Sequence, residues 1–458
     1  MKPSYLIFLI IYIVVSIPLI FTGFGEPDAW RSANTIRNLA YTFEYTPSRF
    51  PGFPVVEFIN AILFKITNLF FCGKLHFWII SNLATFFISI LGIYSFAKIL
   101  EHYDVKNRLI TILSFTFLPA LWIASTSTVD YIWALSFVLA GYYAILQKKY
   151  INAGILLGLA SGCRITSYLI LPALVVIIYT KCDCFAIARN DKKIKFRNMI
   201  KFVVASIFTT IICYLPLIIK YGFGFLWVVN ARPDIGIWGY KFINDIFGLP
   251  AFVMLAVSLI IYRKNFLKLQ LNDAALVIIV FLYAIFFIVK PDKTDYIIPA
   301  IPFFLILLVR FFPRRIFISF AGLLLLNNFI SFWTVDMARY RNEDKISFNI
   351  VDKGVILRNI ELRQEMLRTV NNIIKTKMED NAIVLTGWYR PIIEYVAIEN
   401  NVAPELLSRY YNLVSEDELK KLKESHPVYY IPVAYRETKR AYKYKLDETG
   451  AKLLSVGG

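Results

Sequence analysis

Apolar runs of membrane-spanning length recur through the first 335 residues of the chain. The first, residues 1–21, carries one Lys and then about 18 apolar residues, long enough to cross a bilayer and long for a signal-peptide core. It ends at Gly23-Phe24-Gly25-Glu26 without a small-x-small cleavage site, so it is expected to be retained and to enter from the cytoplasm. Further runs near 76–97, 109–126, 129–146, 151–163, 165–180, 202–219, 247–262, 273–289, 296–309 and 316–334 bring the expectation to about eleven transmembrane helices.

Residues 54–71 are apolar too, but Glu57, Asn60, Lys65 and Asn68 interrupt them, and charge at bilayer depth is expensive. If this segment spans, the basic loops downstream fall alternately on both sides. If it lies along the outer interface as an amphipathic helix, they all fall inside: Lys98, Lys106 and Arg108, then Lys148 and Lys149, the basic run from Lys181 to Lys201, then Arg263, Lys264 and Lys268, and finally Arg310, Arg314 and Arg315. The second arrangement is therefore expected. The N-terminus is then cytoplasmic, and the outer face owns residues 23–75, 125–129 leading into Asp130, 221–246, 290–296 and everything after Asp336.

The tail, 336–458, changes to dense mixed charge with shorter apolar runs. Residues 346–378 have helical spacing, 382–386 (AIVLT) and 428–433 (VYYIPV) read as buried strands, and Ser415 precedes an acidic first turn in SEDELKKLK. The expectation is a polytopic α-helical membrane module, 1–335, followed by a small C-terminal extracytoplasmic α/β domain, 336–458.

Composition agrees with the pattern. Of 458 residues, 58% are hydrophobic and only 18% charged, with a mean hydropathy of +0.58, which excludes an ordinary soluble domain. Lys and Arg number 50 against 32 Asp and Glu, a net charge of +18. In so apolar a chain this excess reads as membrane topology, not as a nucleic-acid surface. Cys72, Cys163, Cys182, Cys184 and Cys213 are too scattered for a disulfide framework, and Cys182-x-Cys184 lacks the second pair of a zinc site. His76, His102 and His426 cannot build an H-E-x-x-H motif.

The polar residues of the outer loops carry the candidate chemistry. The first loop reads Gly25-Glu26-Pro27-Asp28-Ala29-Trp30-Arg31 and later Ser48-Arg49-Phe50-Pro51. If Asp28 opens a helix, Arg31 lies one turn on and on the same face; an N-capping aspartate with an ordinary helical ion pair fits the same spacing. Asp130 begins a span after Ser125-Thr126-Ser127-Thr128, Arg164 sits between two apolar runs, and Lys290 opens Lys290-Pro291-Asp292-Lys293-Thr294-Asp295-Tyr296. Ionisable residues at membrane depth are functional candidates by default, with structural pairing as the alternative. Arg232-Pro233-Asp234 reads as a turn.

An acid after the first span, an Arg three residues later, an Arg before Pro in the same loop and an Asp after the third span resemble membrane glycosyltransferases of the GT-C fold. The nearest resemblance is to the protein O-mannosyltransferase and lipid A aminoarabinose transferase group (glycosyltransferase family 39-like). Pro27-Asp28 also resembles the His-Pro-Asp-Glu loop of the mannosyltransferases that build lipid anchors, with Glu26 in place of the His and Ala29 in place of the second acid. The resemblance implies a polyprenyl-phosphate sugar donor, undecaprenyl or dolichyl, and an acceptor hydroxyl on a glycan, lipid or protein. It makes Asp28 the catalytic carboxylate with Glu26 as its nearest substitute, and Arg31 its partner. By the same resemblance Arg49 lies near the donor phosphate, Asp130 is the acid of the second outer loop, and Arg164 matches a basic residue at the helix junction; Lys290, from its place in the last outer loop, is a further cationic candidate. With Ala29 beside Asp28, the loop is compatible with a divalent Mg or Mn ion and with none. A lipid-linked sugar flippase or an oligosaccharide polymerase would also be polytopic; the chain shows no duplicated halves, and its polar groups gather on one face.

Overall fold

The computed structural model describes residues 3–71, 76–180, 189–226, 242–266, 271–290, 294–337, 346–379, 381–400, 402, 407–442 and 444–454. The Arg232-Pro233-Asp234 turn, Cys182, Cys184 and the centre of the 290–296 motif lie outside them.

Helix α1 (Pro3–Ile20) leads to α2 (Pro27–Thr42), which Pro27 opens with its fixed φ. Helix α2 buries Ala29, Trp30, Ala33, Ile36, Arg37, Leu39 and Ala40 on one stripe and ends at Phe43, in the left-handed region at φ 60°. Helix α3 (Pro54–Phe71) covers the segment expected at the interface and packs on α2. Helices α4 (Phe77–His102), α7 (Asp130–Leu146), α8 (Tyr150–Cys163) and α10 (Arg189–Tyr221) form a consecutively packed group. Between them lie α5 (Arg108–Thr116), α6 (Pro119–Ser125) and α9 (Leu171–Thr180).

The expected single run over 109–126 is instead two helices bent by 65°, because Pro119 cannot continue the helix that ends at Thr116. Residues 165–180 are likewise divided, into a 3-10 turn over Ile165–Ile170 and α9. After α11 (Leu249–Ile261) and α12 (Leu271–Val289), another 3-10 turn, Thr294–Ala300, precedes α13 (Ile301–Phe311). The last expected span, 316–334, is corrected: α14 (Arg314–Leu326) stops early, and Ile330–Met337 is strand β1. The β-branched and aromatic run ISFWTV suits a strand, and Asn327-Asn328 ends the helix. β1 pairs antiparallel with β2 (Ile346–Lys353), so the helix expected from 346 begins only at α15 (Val355–Lys375).

Among the described residues, two helices are long and apolar enough to cross a membrane by length and composition, Phe77–His102 and Lys193–Tyr221; the bent pair would make three. Six shorter apolar helices accompany them, including those over Asp130–Leu146, Tyr150–Cys163 and Asp273–Val289. The chain is mostly helical, in the manner of a polytopic membrane protein.

In the tail, short parallel strands β3 (Ile383–Leu385), β4 (Tyr410–Tyr411), β5 (Val428–Tyr430) and β6 (Lys452–Leu453) form one sheet in the order β4-β3-β5-β6. Helices α16 (Arg390–Glu399), α17 (Glu416–Ser425) and α18 (Pro432–Tyr442) connect and follow the strands. The expected cap at Ser415 is a full capping box with Glu418, whereas the strand expected through Val433 ends at Tyr430 because Pro432 opens α18.

Close packing of α8 on α10 depends on Gly154, Gly158 and Gly162, one per turn on the same face. A Cβ at Gly154 would lie 2.3 Å from Phe202 O, and one at Gly158 2.5 Å from Thr209 Cβ. Gly162 approaches Cys213 as closely, with its added Cβ 2.8 Å from Cys213 Cβ. Gly158→Ala should therefore destabilise the protein by about 1–3 kcal/mol, seen as a lower unfolding temperature in detergent. Gly322→Ala, with nothing within 4 Å, is the control and should be neutral or stabilising.

Candidate active site

The outer-loop charges expected to carry chemistry converge in an alternating chain. Asp28 lies in the first turn of α2, one residue beyond Pro27, and Glu26 occupies the cap position without a side-chain capping bond. Asp28 is thus no N-cap. Its carboxylate accepts from Arg49 and faces Arg31 Nη1 at 3.6 Å. Arg49 Nη2 continues to Asp130 Oδ1 at 3.4 Å, and Asp130 Oδ2 accepts from Arg164 Nη1 at 2.5 Å. Three guanidiniums surround two carboxylates, so the group carries one surplus positive charge (3 − 2 = +1).

Each member comes from a different element. Asp130 is the first residue of α7 and only 5% exposed, while Arg164 caps α8 in extended conformation, where the chain turns into the 3-10 segment. The Arg164 guanidinium lies 4.0 Å from the Tyr131 ring centroid and 4.9 Å from that of Tyr296, and its Nε donates to Thr166 Oγ1 at 3.1 Å. Two aromatic faces and one hydroxyl thus hold the cation's plane, leaving its orientation little freedom. Arg49 stacks over Phe53 at 4.8 Å. Burial opposes the charge on Arg49, but Asp28 and Asp130 more than reverse that, and its pKa is raised.

The loop that presents Arg49 is held by a residue that the sequence marks only as a liability. Glu57, fully buried in the first turn of α3, accepts from Tyr45 Oη and from the Ser48 amide at 3.1 Å. Lys220, at the end of α10, donates to Tyr45 O at 3.1 Å and Thr46 Oγ1 at 2.9 Å. Asn82 on α4 joins the two acid-bearing segments: its Nδ2 donates to Ile20 O at 3.1 Å and Gly23 O at 3.2 Å, and its Oδ1 accepts from the Thr128 amide at 3.1 Å. A lone Asn in an apolar run was the available signal for this role.

Two expected members lie elsewhere. Glu26 is partly buried and its charge acts on Arg363 of α15. Lys290 follows α12, its amide donating to Phe286 O at 2.9 Å, and among the described residues it forms no ion pair with Asp28 or Asp130. No three His, Cys, Asp or Glu side chains gather as a metal-ligand set among the described residues. Both aspartates are turned to guanidiniums, an arrangement suited to receiving an anion.

Asp130→Asn should leave Arg164 buried without its anion and cost about 3 kcal/mol, read by thermal unfolding. Combining it with Arg164→Met should recover part of that loss, a non-additivity that reports direct coupling.

No protein-family model matches the chain, and no curated protein matches it by sequence. Solved structures do match over nearly its full length, two of ArnT among them. One is ArnT from Cupriavidus metallidurans in the apo state, with a TM-score of 0.57 at 13% identity over 96% of this chain and 95% of that one. The other is ArnT bound to undecaprenyl phosphate, with a TM-score of 0.55 at 13% identity over 95% of each chain. The chain has the GT-C fold shared with that aminoarabinose transferase.

Proposed function

We propose that the protein is a glycosyltransferase that moves a single sugar from a polyprenyl-phosphate donor to an acceptor hydroxyl at the extracytoplasmic membrane face. The observation that carries this reading is the convergence of Asp28, Arg31, Arg49, Asp130 and Arg164 into one group, centred on the buried Asp130, with surplus positive charge. It gains support from the fold shared with an enzyme whose structure holds undecaprenyl phosphate.

In this mechanism the donor phosphate binds beside Arg49 and Arg164 and competes with Asp28 for the Arg49 guanidinium. Asp28, relieved of part of its pairing, takes the proton from the acceptor hydroxyl as that oxygen bonds to the anomeric carbon. The bond from that carbon to the phosphate oxygen breaks, and its electron pair leaves on the polyprenyl phosphate, where the arginines stabilise the growing negative charge. Asp130 holds both arginines at the required spacing. Glu26 is the substitute base, and Arg31 and Lys290 contribute to substrate binding from the rim.

The topology that goes with this reading has about eleven spans, a cytoplasmic N-terminus, interface helices in residues 23–75 and an extracytoplasmic domain from 336. The donor's prenyl tail would then stay in the bilayer while its sugar phosphate reaches the outer cluster. The acceptor is a glycan, lipid or protein.

Transfer of radiolabelled sugar from a panel of polyprenyl-phosphate monosaccharides to lipid and protein acceptors in proteoliposomes tests the proposal. Asp28→Asn should lower transfer by about 10²–10⁴ while the protein stays folded. Wild-type activity in that variant would remove Asp28 from the base role. Movement of sugar-lipid across the bilayer without transfer would replace the enzyme by a flippase.

A further inference from the structure

We propose that Arg363, carried by the tail, is a positioning residue for the active site: it sets the register between the segment bearing Asp28 and the segment bearing Asp130. This rests on the glycosyltransferase reading for its catalytic consequence and on geometry for the rest.

Arg363 is fully buried on α15, in line with Ile356, Met366, Val370 and Ile373 on the helix's apolar stripe. Its Nη1 donates to Leu19 O at 2.7 Å, Gly23 O at 3.2 Å and Thr126 O at 3.1 Å. Nη2 lies 3.4 Å from Thr126 Oγ1, and Nε donates to Asn359 Oδ1 at 2.7 Å. Leu19 and Gly23 belong to the end of α1 and the link into α2, five residues before Asp28. Thr126 caps α6, four residues before Asp130. The carbonyls at helix C-termini lack intrahelical donors and carry partial negative charge, so one guanidinium satisfies both ends together.

The surrounding contacts make this a joint and not a general anchor. Gly25 N donates to Ser127 Oγ at 3.2 Å, tying the two segments directly, and Gly25 packs closely on the guanidinium: a Cβ there would lie 3.1 Å from Arg363 Nε. Asn82 reaches Gly23 O from α4 and the Thr128 amide from the same side, so Gly23 O receives donors from both Asn82 and Arg363. Burial pushes the Arg363 pKa down, to about 9, with Glu26 opposing; the group is still protonated at neutral pH and keeps all its donors. An apolar side chain here would dock the tail without the cost of burying a charge. What the arginine adds is a fixed distance between two segments whose acids Arg49 must bridge at once. On this proposal the tail completes the active site's frame.

The test compares full-length wild type, Arg363→Gln, Arg363→Lys and Arg37→Met in lipid nanodiscs. Arg37 also joins the tail to α2, through the Tyr395 ring and carbonyl, but touches neither acid-bearing link. Hydrogen exchange read by mass spectrometry should show residues 20–26 and 126–129 both exchanging at least about tenfold faster in Arg363→Gln, with the tail's sheet still protected. Wild-type protection of either link in Arg363→Gln would overturn the proposal. In the transfer assay kcat should fall by about 10²-fold in Arg363→Gln with donor KM within a few-fold, since small misplacements act on the chemical step. Arg363→Lys, whose ammonium offers three N–H donors against the guanidinium's five, should recover at least a tenth of wild-type kcat, and it decides the matter if Arg363→Gln does not fold; a folded Arg363→Lys no better than Gln would count against the clamp. Arg37→Met should lose stability but keep kcat; an equal loss of kcat there would reduce Arg363 to a general anchor. A wild type that transfers no sugar defeats the glycosyltransferase reading and leaves the exchange result to judge the clamp alone.

Discussion

A carboxylate withdrawn from water needs a cation at its side, and the end of this protein that carries Asp28 and Asp130 is built around that requirement. Asp130 is almost wholly buried and Asp28 partly so, and each is set against a guanidinium. Arg49 and Arg164 supply the balancing charges, and Arg49 serves both acids. The four groups come from the start of α2, the loop before α3, the start of α7 and the junction after α8. Packing of α2 on α3, of α7 on α8 and of α8 on α10 must therefore be satisfied together for the charges to meet. The glycine face of α8 serves this directly, since any added side chain would push α8 from α10 and carry Arg164 with it.

Around the charged core, polar side chains hold backbone more than they hold one another. Glu57 and Lys220 fix the loop that ends at Arg49, and Asn82 and Arg363 fix the links that end at Asp28 and Asp130. In a medium with little water, a free backbone group costs more than at a soluble surface, so each of these contacts satisfies the chain and locates a catalytic candidate at once. The surplus positive charge is then a property of the whole frame. It suits the binding of an anion.

The tail belongs to this frame as well. It docks through Arg37 and Asn34 of α2 onto α16, with Asn34 Nδ2 donating to Pro391 O at 2.9 Å, and through Arg363 onto α1 and α6. A domain held only by apolar contact could slide by a rotamer without penalty. One held by a buried guanidinium on several carbonyls has a single seat.

The amino-acid sequence by itself determined the helical membrane class, most of the helix positions, the mixed tail and the identity of Asp28, Arg31, Arg49, Asp130 and Arg164 as the residues to watch. These are legible because hydropathy period and isolated charge in apolar surroundings are local signals. It misjudged the 316–334 run, where β-branched residues in an apolar stretch suit strand and span alike, and the 346–353 segment, where charge spacing mimicked a helix. Only the tertiary structure decided that Asp28 reaches Arg49 instead of capping its helix, that Lys290 pairs with neither aspartate among the described residues, and that Glu57, Asn82 and Arg363 hold the loops. Those outcomes depend on which carbonyls and carboxylates from distant segments share one desolvated space, and that is set by packing across the whole chain, from Leu19 to Arg363; the local pattern marks Glu57 and Asn82 as polar residues in apolar runs but does not say what they hold.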